Sequence, residues 1–143
     1  MERKNFLKTC GFACLSGSIL FSALEGCGSS KIIAGTMDNS NLKVPLSSFQ
    51  QDKSSFRQYI VVSHPDLKYP ICVYRFNDTE YTALLMRCTH QGTELQVFGD
   101  RLECPAHGSQ FSDTGIVKNG PADTNLRNFP VTVNNDQLFI SLK

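Results

Sequence analysis

Two short runs hold the side chains best suited to chemistry: Cys88-Thr89-His90-Gln91-Gly92 and, sixteen residues after the first cysteine, Cys104-Pro105-Ala106-His107-Gly108-Ser109. Each offers one thiolate and one imidazole. In an extended loop, residues i and i+2 point the same way, so Cys88 and His90 can face one site while the second loop closes on it from the other side. Two Cys and two His suit either a zinc ion or an iron-sulfur centre. Gly92 and Gly108 follow the histidines closely. Residues without a Cβ let backbone N–H groups approach a bulky anionic ligand, which favours a cluster over a bare ion. The other reactive side chains have plainer readings. His64, in Ser63-His64-Pro65-Asp66, reads as an exposed turn histidine, Cys72 as a buried free thiol in an apolar strand, and Arg87 as a strand end in solvent.

The elements that must position these runs read as all-β. From Leu42 onward, β-branched and aromatic runs bounded by turn residues cover Arg57–Ser63, Pro70–Phe76, Tyr81–Arg87, Glu94–Phe98, Arg101–Cys104, Phe129–Asn134 and Gln137–Leu142. Asn77-Asp78, Gly99-Asp100 and Asn134-Asn135-Asp136 lie between runs and supply residues that tolerate the positive φ of tight hairpins, so antiparallel pairing is expected. Tyr59-Ile60-Val61-Val62 and Ala83-Leu84-Leu85-Met86 are apolar without alternation, which fits strands buried on both faces. The 143 residues allow one domain and a short appendage.

The pattern C-x-H, a gap of 13 residues, then C-P-x-H-G-S-x-F resembles the Rieske iron-sulfur proteins. The resemblance covers roughly residues 42–143, because Gly115-x-Val117-x-x-Gly120-Pro121-Ala122 resembles the family's proline-bearing loop and Leu126–Leu142 its closing strands. It implies an antiparallel β-sandwich with a small two-loop cluster-binding subdomain at about residues 87–112. It also implies a 2Fe-2S cluster with Cys88 and Cys104 on the inner iron and His90 and His107 on the outer iron, near solvent. Gly92, Gly108, Ser109 and Pro121 would surround the cluster. With two neutral imidazoles, the oxidised centre carries no net charge, so it accepts an electron more readily than a four-thiolate centre. The expected potential lies between about −150 and +300 mV, against about −400 mV for plant-type ferredoxins. In the family's quinol-oxidising branch a disulfide usually joins the two loops at the positions of Thr93 and Ala106, and a tyrosine often stands where Phe111 does. Neither Thr93 nor Ala106 is a cysteine, so an intermediate potential is expected.

The first 26 residues differ in kind. Arg3, Lys4 and Lys8 precede an uncharged stretch, Phe12–Leu24, in which 9 of 13 residues are apolar, and Leu24-Glu25-Gly26-Cys27 follows. This is the pattern of an export signal. Thirteen helical residues cover roughly 20 Å, short of the roughly 30 Å hydrocarbon core, so a spanning helix is the weaker reading. Leu-Glu-Gly-Cys resembles the bacterial lipobox, which implies cleavage before Cys27 and its lipidation. Arg3-Lys4-Asn5-Phe6-Leu7-Lys8 resembles the twin-arginine signal with one arginine replaced. Residues 27–41 read as a flexible tether, since Gly28–Asn41 is rich in Gly, Ser, Asn, Asp and Lys; fully extended it would span roughly 45 Å.

Composition narrows the function. The chain has 14 Lys+Arg and 13 Asp+Glu; residues 27–143 carry equal numbers of each, so no basic footprint points to nucleic acid. Of the six cysteines, Cys10 and Cys14 belong to the signal, so a disulfide framework is not needed to explain the rest. The expectation is an electron-transfer protein, not an enzyme by itself, tethered to a membrane of the bacterial envelope on its periplasmic side through Cys27. Its partner would be a cytochrome or a quinol- or molybdenum-oxidoreductase complex. The alternatives are the Rieske subunit of a quinol-cytochrome c oxidoreductase, a dioxygenase-type Rieske ferredoxin and a zinc-stabilised binding module.

Overall fold

The structure, a computed structural model, describes residues 30–143; the signal reading of residues 1–26 and the lipidation site Cys27 lie outside the described residues. The described strands are β1 (Ile32–Ala34), β2 (Thr36–Asp38), β3 (Asn41–Pro45), β4 (Tyr59–Ser63), β5 (Ile71–Arg75), β6 (Tyr81–Leu85) and β7 (Gln96–Phe98). They continue with β8 (Arg101–Glu103), β9 (Gln110–Ser112), β10 (Val117–Asn119), β11 (Asn128–Phe129), β12 (Val131–Asn134) and β13 (Gln137–Ser141). Three sheets result, in the orders β1-β4-β5-β6-β11, β12-β13-β3-β2 and β10-β9-β8-β7. Among the described residues no helix is long and apolar enough to cross a membrane.

The five-stranded sheet is the middle layer. Ile60, Val62, Ile71, Val73 and Ala83 face one core with Leu42, Val44, Leu138 and Ile140 of the second sheet. The intervening residues Val61, Cys72, Tyr74 and Leu84 face another core with Leu102 and Phe111 of the third sheet, and with Cys88 and Cys104. This explains the lack of alternation in β4–β6: a sheet covered on both sides has no solvent face to keep polar. Each fully buried Leu, Ile or Val contributes about 1.5–3 kcal/mol of transfer free energy. The cysteines of the two loops thus rest on the same apolar layer that holds the middle sheet.

Several expectations are corrected. Residues 32–41, read as part of the tether, form β1, β2 and the start of β3; β1 pairs with β4 and β2 with β3. Both are edge strands whose residues are mostly exposed or half-buried, so little apolar periodicity was needed there. The β1–β4 pairing is parallel, unlike the antiparallel pairing elsewhere. The run Phe129–Asn134 divides at Pro130, which lacks an N–H for a ladder; β11 joins the middle sheet and β12 the second. Asn135 and Asp136 take the expected positive φ, at 47° and 58°. Asn77 does not: its Oδ1 instead accepts the N–H of Thr79 at 2.9 Å, an Asx turn that closes β5–β6.

Candidate metal centre

Both cysteine-histidine runs are six-residue hairpin loops. The first, Cys88–Thr93, is closed by the bridge between Arg87 and Glu94; the second, Cys104–Ser109, by the pairing of Glu103 with Gln110. The Cys88 N–H donates to the Thr93 carbonyl at 2.8 Å, and the Gly92 N–H to the Cys88 carbonyl at 2.9 Å. The second loop repeats both bonds: Cys104 N–H to Ser109 at 2.8 Å and Gly108 N–H to Cys104 at 3.0 Å. Gly92 and Gly108 take φ of 81° and 79°, a region that costs any residue with a Cβ about 1–2 kcal/mol. The glycines therefore let each loop turn back on its cysteine.

This geometry replaces the extended loop expected from spacing. Cys88 and Cys104 are 1% and 3% exposed, whereas His90 and His107 stand exposed at the surface. The two imidazoles meet edge-on, with ring centroids 5.1 Å apart and planes at 89°. The two thiols lie inside and the two imidazoles outside. Among the described residues, no three His, Cys, Asp or Glu side chains converge as a single metal ion would require. A centre with two metals, taking sulfur on one side and nitrogen on the other, fits this division.

The surroundings fit as well. Burial pushes the Cys104 thiol up, but the backbone N–H groups of Ala106 and His107, with the Cys88 and Thr93 side chains, outweigh it and leave the thiol below its ordinary range. Such a sulfur is prepared to be a thiolate ligand. Ser109 is fully buried, and its Oγ accepts the Ala122 N–H at 3.0 Å, which leaves the hydroxyl proton to be donated elsewhere. Pro121 is exposed beside the buried Ala122, within the segment Asn119–Thr124. Thr89 Oγ1 donates to the Thr124 carbonyl at 2.6 Å and Asn119 Nδ2 to the Gly108 carbonyl at 3.4 Å, so this segment ties both loops.

Sequence reasoning missed Tyr69. Its hydroxyl donates to the Gly92 carbonyl at 2.8 Å, and the Arg87 guanidinium lies 5.9 Å from its ring centroid. Nothing in the local pattern joins Tyr69 to a glycine 23 residues away. Arg87 is exposed, as expected, and also packs on this tyrosine. His64 belongs to a turn but is not exposed: its side chain is only 17% exposed, and Nδ1 accepts the Asp66 N–H at 3.1 Å. Cys72 is a buried free thiol, which burial pushes far above the ordinary range.

The Rieske [2Fe-2S] domain family model matches residues 47–130, more than half of the chain, and the chain belongs to that family. It is a Rieske iron-sulfur electron-transfer protein, and its cofactor is a Rieske-type 2Fe-2S cluster. The zinc-stabilised module is thereby set aside. Among curated proteins, the chain is similar to the cytochrome b6-f complex iron-sulfur subunit of Synechococcus sp. (strain CC9605), 41% identical over 56 residues. That match covers 38% of this chain and 32% of the relative, so the similarity spans about a third of the relative's length. Among solved structures, it resembles the cyanobacterial plasma membrane Rieske protein PetC3 from Synechocystis PCC 6803, with 26% identity and a TM-score of 0.52 over 59% of this chain and 87% of that one. A chain of the complex of reduced oxygenase and oxidized ferredoxin in carbazole 1,9a-dioxygenase is similar at 26% identity and a TM-score of 0.55, covering 74% of this chain and 96% of that one.

Proposed function

We propose that this chain is an exported, lipid-anchored carrier of single electrons, with Cys88 and Cys104 binding one iron of the cluster and His90 and His107 the other. The observation that carries the ligand assignment is the division in depth: two buried thiols beneath two exposed imidazoles set edge-on at 5.1 Å. When bound, the cluster supplies one-electron chemistry at a potential raised by its neutral imidazole ligands. The chain's own residues do the rest. The apolar layer of Leu95, Leu102 and Phe111 excludes water from the thiolates, Ser109 offers its hydroxyl proton to an acceptor in the site, and His90 and His107 present ring N–H groups to a docking partner. No charged side chain lies within Pro105–Gly108, so contact there rests on shape and hydrogen bonds rather than on charge.

Export and anchoring rest on the basic start, the apolar stretch Phe12–Leu24 and the lipobox-like Leu24-Glu25-Gly26-Cys27. They place the domain on the periplasmic side of a bacterial membrane, serving a respiratory or other exported oxidoreductase. A second reading, the Rieske subunit of a quinol-oxidising complex, is supported by the similarity to cytochrome b6-f subunits. Against it stand Thr93 and Ala106, which cannot form the loop-to-loop disulfide usual in that branch.

Iron content, visible absorption and the electron paramagnetic resonance of the dithionite-reduced full chain test the ligands. Serine at either cysteine, or alanine at either histidine, should abolish the reduced-cluster signal; a variant that keeps full signal removes that residue from the set. Mass spectrometry of the mature N-terminus tests the anchor: an acylated Cys27 is expected, and an unprocessed or unmodified terminus would reject it.

A further inference from the structure

An open groove of ≈ 620 Å³ runs between the edge of the middle sheet and β7, the edge strand of the third sheet. Ile32, Val61, Leu67, Met86, Val97 and Phe98 supply its apolar lining. Two of them are large side chains left in solvent, Ile32 at 68% and Phe98 at 46% exposed. Of the polar residues in the lining, His64 has its Nδ1 occupied by the Asp66 N–H, and Ser30, Glu94 and Gln96 are exposed to solvent. The volume lies within the range of small-molecule sites, which are mostly apolar. An apolar surface of this kind, bordered by two open strand edges, is one that a soluble domain usually covers.

Ser30 also lines the groove, and Cys27 is three residues before it. Three residues reach at most about 11 Å at 3.3–3.6 Å each. Because β1 begins at Ile32, the chain between the anchor and the folded domain is far shorter than the fourteen residues that composition implied. A hydrocarbon chain attached at Cys27 therefore starts within reach of the groove on any path the backbone takes. A short connection also gives that chain a high effective concentration, which favours it over a free lipid or a second protein.

We propose that this groove holds an acyl chain of the lipid carried by Cys27. The inference rests on the anchor reading above and deepens it. Ile32 and Phe98 then border the chain, and β1 and β7 lie along it. The occupied groove sets the Rieske domain close against the membrane, with the base of the first cluster loop beside the lipid through Met86, Glu94 and Leu95.

The test uses the full chain, expressed in a bacterium that processes lipoproteins, with a photoreactive benzoylphenylalanine at Phe98 and, in a control, at Phe76, which is exposed but does not line the groove. After irradiation in native membranes, the expected product joins the peptide containing position 98 to the acylated N-terminal peptide of the same molecule. The control should not form it, and Ile32→Glu should lose it while retaining the visible spectrum of the cluster. Reaction of position 98 with bulk phospholipid, with another protein or with nothing, in a sample whose Cys27 is shown by mass spectrometry to be acylated, overturns the groove proposal alone. An unacylated Cys27 overturns the anchor reading and the proposal together.

Discussion

The loops Cys88–Thr93 and Cys104–Ser109 are built on one plan and used differently. Each has six residues, a cysteine first, a glycine of positive φ fifth, a hydroxyl residue sixth and the same two backbone hydrogen bonds. The histidine is third in the first loop and fourth in the second, which brings the two rings together edge-on. The sixth residues differ in setting. Ser109 is fully buried and held by the Ala122 N–H, while the Thr93 side chain is one of the groups that keep the Cys104 thiol below its ordinary range. The supports differ as well. The first loop leans on Tyr69 at 2.8 Å and Thr124 at 2.6 Å, the second on the Ala122 N–H at 3.0 Å and on Asn119 at 3.4 Å. The shared frame delivers each thiol inward, and the differences set which distant residues hold each loop.

Four measurements test how far the two loops are equivalent. Cys88→Ser and Cys104→Ser should each remove the cluster entirely, measured by iron content and visible absorption; retention in only one variant would end the equivalence of the loops. Gly92→Ala and Gly108→Ala should each destabilise by about 1–2 kcal/mol in thermal unfolding because both φ values are left-handed. The larger loss is expected at Gly92, where the new methyl would lie 3.2 Å from Arg87 Nε and disturb its packing on Tyr69, while the space around Gly108 is open. Ser109→Ala should lower the midpoint potential by roughly 40 mV, the equivalent of a hydrogen bond that favours the reduced form by about 1 kcal/mol, at about 59 mV per tenfold for one electron. Phe111→Tyr should move it in the opposite direction, and the wild-type midpoint should lie below those of disulfide-bearing Rieske proteins; voltammetry checks all three. Smallest is the difference in loop support: Tyr69→Phe should cost about 1 kcal/mol and speed amide exchange in Cys88–Thr93, and Asn119→Ala should leave stability nearly unchanged.

The first of these variants could be named from the sequence, and Tyr69→Phe could not. The two-loop pattern is local: a cysteine, a histidine, a glycine and a hydroxyl residue within six positions announce a chelating turn without knowledge of the rest of the chain. The same holds for β4 and β6, whose unbroken apolar runs already implied strands buried on both faces. Tyr69, the bond between Ser109 and Ala122, and the segment Asn119–Thr124 with its hold on Thr89 all join positions distant in sequence, and no periodicity encodes them. β1 and β2 were hidden for another reason. As edge strands they bury little, and what makes them strands is a backbone ladder supplied by β4 and β3.

By itself, then, the sequence determined the chemistry and the class of fold: donor types and spacing that suit a two-iron centre, and an all-β body to carry them. Only the folded chain set the depth of each donor, the meeting of the two imidazoles, the long-range supports of each loop, and the loss of most of the supposed tether to a sheet edge. Donor identity is a property of single residues, whereas depth and support arise only when strands far apart in the chain share a core and exchange hydrogen bonds.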